Sequence, residues 1–277
     1  MYTSLFSVRR TSRVLGFKFQ VSGFKFQVSG FKFQVSGFRF KVYKIYQILI
    51  LPLLFVHSLV LLFLMWLFCV LRIHRLGTGF FPRMWARGLC WLLLLKVEVH
   101  GREHLKPGEH YVFMANHQGM LDICMLNGYL GREFKWMMKK ELGDVPLFGM
   151  ACRGARFVMV DNTNAGAVRR TCREAAALMK EGFSLCLFPE GMRTWDGHMN
   201  EFKKGGFVLA QNAGFPIVPI TINGSFDALP RQKGLNLVNH VPLSITIHEA
   251  IPVEGNREEL IQKVYDAIHS SLCEEYK

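Results

Sequence analysis

The sequence predicts an α/β fold, a mostly parallel central sheet covered by helices, with an N-terminal hydrophobic helical membrane anchor. Two observations carry this. From Val97 onward, short apolar runs of strand length alternate with amphipathic stretches of helical period, the pattern of a covered and largely parallel sheet. Before it, Ile45 through Leu71 contains no charged side chain and is long enough to cross a bilayer core of about 30 Å. Charge divides the chain at the same place. Residues 1–97 hold 14 Lys and Arg and no acid, whereas residues 98–277 hold 20 basic and 21 acidic side chains. A basic, apolar leader on a neutral globular part points to an anionic membrane surface. No groove-reading motif accompanies the +13 net charge, so no nucleic acid partner is expected. The seven cysteines form no Cys-x-x-Cys pair, so neither a zinc site nor a disulfide framework is indicated.

Taken in order, residues 1–43 carry a basic seven-residue tandem repeat. Gly-Phe-Lys-Phe-Gln-Val-Ser occurs unchanged at 16–22, 23–29 and 30–36, followed by a degraded copy from Gly37 to Tyr43. Each unit alternates like a strand, but an odd period turns successive units to opposite faces. The spacing makes no helical stripe either, so little order is expected there. Residues 44–96 are read as membrane-anchoring helices. The uncharged run is too long for a signal-peptide core. The second apolar piece, Trp85 to Val97, is interrupted by Arg87 and has tryptophans suited to an interface. Basic residues flank the long run on both sides, which leaves its orientation open; the globular domain is taken to face the cytoplasm at the cytoplasmic membrane. Residues 97–277 form that domain. Strands are expected at 97–100, 110–115, 134–138, 156–160, 183–188, 216–221 and 243–248. Helices are expected at 121–130, 146–152, 165–180, 203–213 and 257–273.

The chemistry gathers in a few stretches. The strand ending at Ala115 runs into Asn116-His117-Gln118-Gly119-Met120-Leu121-Asp122. On one regular helix His117 and Asp122 would diverge, because neighbours on a face are three or four apart. They meet only if His117 lies in the turn and Asp122 in the first helical turn, where the carboxylate holds one imidazole nitrogen and frees the other. Downstream, Phe188-Pro189-Glu190-Gly191-Met192-Arg193 follows an apolar strand, and Phe202-Lys203-Lys204-Gly205-Gly206 opens a helix. Val218-Pro219-Ile220 lies in the next strand. There is no Gly-x-Ser-x-Gly elbow for a serine nucleophile. His198, His240 and His248 lack partners at ligand spacing, so no metal is assigned.

In this order the stretches resemble the glycerolipid acyltransferase family over residues 97 to 250. Asn116-His117…Asp122 matches its His-x4-Asp block, and Phe188 to Arg193 its Phe-Pro-Glu-Gly-Thr-Arg block with Met192 in the Thr position. Val218-Pro219-Ile220 matches its final proline block. Where the family commonly has an arginine associated with the substrate phosphate, this chain has Asn162, leaving Arg156, Arg153 or Lys203 as alternatives. The resemblance implies acyl transfer from a thioester co-substrate, acyl-CoA or acyl-ACP, to a lysophospholipid acceptor in the membrane lipid, first of all 1-acyl-glycerol-3-phosphate, with no cofactor. A thioester needs no enzyme nucleophile, because the acceptor hydroxyl attacks it directly. That requires a general base, His117, with its tautomer fixed by Asp122. Backbone N–H groups in the 117–122 turn are expected to receive the oxyanion. Arg193 is expected on the acceptor phosphate, with Asn116, Arg156 and Lys203 as further binding residues. Glu190 either holds a glycerol hydroxyl or pins Arg193, and Gly191 lets the backbone approach closely. Three other readings stay open: another lysolipid acceptor, an inactive lipid-binding protein of the same fold, or a hydrolase using a His-activated water.

Overall fold

A computed structural model describes residues 20–21, 24–25, 28–73, 75–161, 163–229 and 237–277. Asn162 and residues 1–19, 22–23 and 26–27, which include the first copy's start, lie outside the described residues. The chain divides into two compact units, Met1–Leu49 and Ile50–Lys277.

In the first unit, β1 (Gln20–Val21) and β2 (Phe24–Lys25) pair antiparallel. Helix α1 (Val28–Val70) begins inside the repeat, earlier than the expected start of the anchor at residue 44. The strand-like alternation of the last repeat does not prevent this. Extending a helix gains a hydrogen bond per residue, whereas starting one does not, so the apolar helix runs back into its leader. Within α1, Lys41–Val70 is long and apolar enough to cross a membrane, its most apolar 18 residues having a mean hydropathy of 2.8. At 1.5 Å per residue it reaches about 45 Å, enough for a tilted crossing.

The second unit continues from Ile50 through α2 (Phe81–Leu92), β3 (Val97–His100), β4 (Val112–Ala115), α3 (Leu121–Tyr129), β5 (Phe134–Lys139) and α4 (Phe148–Gly154). Next come β6 (Val158–Val160), α5 (Ala165–Lys180), β7 (Ser184–Leu187), α6 (Gly205–Ala213) and β8 (Ile217–Asn223). The short α7 (Ser225–Ala228), β9 (Leu243–Ile247) and α8 (Arg257–Ser270) complete it. Every expected strand and helix of this part is present, with ends displaced by a few residues. Asn164 caps α5 by accepting from Ala167 N–H at 2.9 Å, and Asn256 caps α8 in the same manner.

The seven-stranded sheet has the order β3-β9-β8-β4-β7-β5-β6. Strands β8, β4, β7, β5 and β6 run parallel, while β9 pairs antiparallel with β8 and parallel with β3. Strand alternation splits the core in two. Phe113, Ala115, Cys186 and Val218 face the layer with α2 and α3, whereas Val112, Met114, Leu185 and Ile217 face α5, α6 and α8. Pro219 sits inside β8. Its carbonyl accepts from His248 N–H, just past the end of β9, so the missing N–H falls beyond that ladder and costs no bond to β4.

The second apolar piece covers this sheet. Ala86 and Cys90 are buried, and Gly128 on α3 brings the backbones close, where a Cβ would lie 3.3 Å from that of Ala86. Arg87, which interrupts the run, donates from Nε to the Gly128 carbonyl at 2.8 Å. His57 on α1 donates from Nε2 to the Trp85 carbonyl at 3.2 Å, and Trp85 Nε1 donates to Ser58 Oγ at 3.1 Å. The buried face of α2 is thus committed to packing on the sheet.

Connections out of β4 and β7 diverge. The chain leaves β4 through α3 toward β5, on one side, and leaves β7 through α6 toward β8, on the other. A crevice opens between the carboxyl ends of adjacent strands at such a switch point, where open α/β sheets bind ligands. His117 follows β4 and Glu190 follows β7.

At the opposite, amino edge lies Lys135, 1 % exposed, its Nζ donating to the Ala155 carbonyl at 2.9 Å and lying 4.5 Å from the Phe183 ring centroid. Burial lowers its pKa from 10.5 to about 8. Between those values the unfolded chain holds a proton the folded one has released, so stability due to this group rises with pH across that window. We expect wild type to gain on the order of 3 kcal/mol relative to Lys135→Met between pH 8 and 10.5. Parallel denaturant titrations in detergent measure it.

Candidate active site

The β4–α3 turn places the imidazole. His117 Nδ1 donates to Asp122 Oδ2 at 2.7 Å, and the same oxygen accepts Gly119 N–H at 2.8 Å. Asp122 is fully buried in the first turn of α3, where the helix dipole favours a carboxylate. Its Oδ1 is buried with no hydrogen bond among the described residues. The carboxylate charge is therefore directed at the imidazole. With Nδ1 protonated, Nε2 is left as the acceptor, and the ring is 15 % exposed. Gly119 is needed for this turn, since a Cβ there would come within 2.7 Å of Ser225 Oγ on α7.

Phe188 fixes the ring's face. It stacks on His117 with centroids 3.8 Å apart and planes 6° from parallel, and Trp136 backs it at 5.4 Å. Glu190 fixes the backbone. One carboxylate oxygen accepts His117 N–H at 2.7 Å; the other accepts Asn200 N–H at 2.8 Å and Asn200 Nδ2 at 2.7 Å. Burial raises the Glu190 carboxyl above its ordinary range, against the pull of those same N–H donors. Thr194 N–H closes the arrangement by donating to the His117 carbonyl at 2.9 Å.

The turn after β7 holds two cations near these groups. Gly191 has φ +73°, and a Cβ there would lie 2.8 Å from Lys203 Nζ, so Lys203 lies directly across its α-carbon. Lys203 N–H bonds the Pro189 carbonyl at 2.9 Å. Arg193, half-buried, directly precedes the residue that bonds His117. His117, Asp122, Glu190, Gly191, Arg193 and Lys203 therefore share one edge of the sheet.

Three expectations are corrected. Asn116 is fully buried, its Nδ2 donating to the Ile222 carbonyl at 2.9 Å and its Oδ1 accepting Ile222 N–H at 2.7 Å. It is a strut tying β4 to β8, with its amide turned away from any substrate. Arg156 precedes β6 and forms a bidentate pair with Glu181, which precedes β7, at 2.7 and 2.8 Å. Both belong to the amino edge, across the sheet from His117. Glu190 is engaged on both oxygens by protein N–H groups, tying the His117 backbone to the Asn200 loop. The N–H groups of His117 and Gly119 are likewise engaged, so an oxyanion must draw on other donors.

Phe188, Thr194 and Asn200 were not singled out from sequence. Phe188 opens the Pro-Glu-Gly block and was open to assignment; Asn200 has no local signal, because its partner is ten residues away across a loop. That loop is clamped by Gly197 (φ +97°), whose α-carbon faces the Tyr276 ring so closely that a Cβ would overlap it. Tyr276 in turn donates to Asp227 Oδ1 on α7. We expect Gly197→Ala to lower activity roughly tenfold through displacement of the Asn200 loop. Adding Tyr276→Ala is expected to recover part of the loss, measured by kcat and Tm of single and double variants.

Residues 96–223 match the family model described as Acyltransferase. The chain is 34 % identical over 202 residues to a 1-acyl-sn-glycerol-3-phosphate acyltransferase of Chlamydomonas reinhardtii, covering 73 % of this chain and 60 % of that protein. A chloroplastic 1-acyl-sn-glycerol-3-phosphate acyltransferase of Brassica napus is 30 % identical over 191 residues, 69 % of this chain and 54 % of its own. The Homo sapiens 1-acyl-sn-glycerol-3-phosphate acyltransferase alpha is 27 % identical, over 74 % of this chain and 72 % of its own. The chain thus spans little more than half the length of the algal and Brassica relatives. The crystal structure of the 1-acyl-sn-glycerophosphate acyltransferase of Thermotoga maritima shares the fold. Its TM-score is 0.68 at 24 % identity, over 84 % of this chain and 95 % of that one.

Proposed function

Residues 96–223 match the Acyltransferase family model, and from that premise we propose that the chain makes phosphatidic acid at a membrane. It would move a fatty acyl group from a thioester, acyl-CoA or acyl-ACP, to the free hydroxyl of 1-acyl-sn-glycerol-3-phosphate. The observation that carries this reading is the 2.7 Å His117–Asp122 contact at the switch point. His117 Nε2 takes the hydroxyl proton as the oxygen attacks the thioester carbonyl. The new C–O bond leaves a tetrahedral oxyanion. Its collapse breaks the C–S bond, and the departing thiolate recovers the proton from Nε2. Asp122 holds the tautomer and stabilises the transient imidazolium.

Arg193 and Lys203 supply positive charge for the acceptor phosphate, Arg193 by a bidentate contact. Glu190 positions the base instead of touching substrate. The apolar stretch of α1 holds the domain at the membrane that carries acceptor and product.

The test is acyl transfer by vesicles containing the full chain, with labelled lysophosphatidic acid, other labelled lysolipids, and each thioester donor. Labelled phosphatidic acid from lysophosphatidic acid supports the reading and identifies the donor. Faster turnover of another lysolipid replaces the acceptor, and release of free fatty acid alone replaces transfer with hydrolysis.

A further inference from the structure

We propose that Phe188 is a positioning residue for the charged form of the base: the face of its ring stabilises the imidazolium that His117 becomes on taking the acceptor's proton. This rests on the proposed role of His117 as general base. The placement follows from strand alternation. Phe113, Ala115 and His117 share one parity along β4 and beyond its end, and Cys186 and Phe188 share one along β7. Phe113 pairs with Cys186 in the parallel ladder, so the two chains carry His117 and Phe188 out on the same face of the sheet. Pro189 steers Phe188 away from helical backbone, and Gly191 N–H donates to the Phe188 carbonyl at 3.0 Å. Trp136, opposite Cys186 on β5, packs on this face too, and its Nε1 donates to Asn127 Oδ1 at 3.2 Å. Asn127 belongs to α3, the helix that carries Asp122. The aromatic stack and the carboxylate are thus tied to one element.

The geometry suits one charge state. The two rings lie 3.8 Å apart, centroid to centroid, with planes 6° from parallel. Carbons in van der Waals contact are about 3.5–4.0 Å apart, so the rings overlap with little offset. Between neutral rings this is a disfavoured arrangement, because one negative face meets another. Neighbouring pairs avoid it: Phe113–Phe134 and Phe134–Trp136 meet at 70° and 84°. For an imidazolium the same arrangement sets a delocalised positive charge over the negative face of Phe188, well within the reach of about 6 Å for such attraction. The His117 side chain is only 15 % exposed, so water competes little for that charge. The stabilisation therefore grows as the proton arrives, which is what lowers a barrier instead of merely tightening a ground state. Asp122 meets the charge in the ring plane, through Nδ1, and Phe188 meets it from the face. The in-plane lone pair of Nε2 is left to the acceptor hydroxyl.

The test is acyl transfer by the full chain in vesicles, with phenylalanine bearing no, one, two or three ring fluorines at position 188. Fluorine withdraws charge from the ring face while nearly keeping its shape, and Tm checks that packing is matched. We expect kcat to fall with each fluorine, roughly 30-fold in all, with the acceptor KM unchanged. Phe188→Leu, which removes the face altogether, is expected to fall at least as far. The charged groups about the ring, Asp122, Glu190, Arg193 and Lys203, are constant through the series, so a graded response belongs to the Phe188 face. A kcat within about twofold of wild type across the fluorinated chains overturns the proposal and leaves Phe188 as packing alone. His117→Ala, run alongside, tests the reading beneath it. Transfer lost in that variant together with a flat fluorine series keeps the base and overturns the stack. Transfer retained in it overturns both.

Discussion

Replacing Asp122 with asparagine will lower kcat roughly 10³-fold while leaving the His117 ring in place. Oδ2 accepts both His117 Nδ1–H and Gly119 N–H, so an amide must put its oxygen there; its NH₂ would oppose two donors. The geometry thus retains the tautomer, and what is lost is the negative charge beside the imidazolium that forms during attack. A unit charge about 4 Å away at an effective dielectric constant near 20 is worth about 4 kcal/mol, which sets the expected factor. KM for the acceptor is expected to change little, because Asp122 is buried away from the crevice. Steady-state kinetics checks this, and an equal fall for Asp122→Asn and Asp122→Ala would contradict it. Alanine also leaves Gly119 N–H unpaired and is expected to be worse.

Glu190→Gln should be nearly as damaging, although it keeps the shape. The carboxylate accepts from both sides, His117 N–H on one and Asn200 N–H and Nδ2 on the other. Glutamine has one acceptor, so its NH₂ faces a donor whichever way it turns. Losing charge-assisted bonds of roughly 1.5–3 kcal/mol each should free the His117 backbone and reduce kcat at least 10²-fold. The raised carboxyl of Glu190 adds a pH signature. Above its ordinary value and up to the raised one, the folded chain holds a proton the unfolded chain has lost. Stability from this group therefore falls as pH rises through that window, while activity rises as both oxygens become acceptors. Glu190→Gln should lose this feature from both profiles. Retention of either pH dependence in the variant would assign it to another group.

The elements were legible because each is local. Short apolar runs such as Val112–Ala115 and helical runs such as Ala165–Lys180 announce themselves within a dozen residues. The His117–Asp122 pair was legible for the same reason, since its geometry follows from one strand-to-helix turn. What failed was whatever depends on strand order. Asn116 reads as a polar residue beside a base until β8 is known to lie next to β4 and to offer Ile222. Arg156 reads as a cation near a substrate site until parallel pairing puts the starts of β6 and β7 at the far edge, beside Glu181. The bond of Glu190 to His117 N–H is invisible until the β4 and β7 ends are seen to be adjacent. The start of α1 was missed because the repeat alternates like a strand, whereas helix propagation from the apolar run decides.

The most direct measurement is acyl transfer by purified full-length chain in vesicles, wild type beside His117→Ala, with folding matched by Tm and products separated as phosphatidic acid and free fatty acid. If His117 is the base, wild type forms phosphatidic acid and the variant falls by roughly 10³-fold or more in kcat, with its acceptor KM preserved. A folded His117→Ala chain that forms phosphatidic acid within about tenfold of wild type would contradict the account, because general-base catalysis is worth at least about 10²-fold.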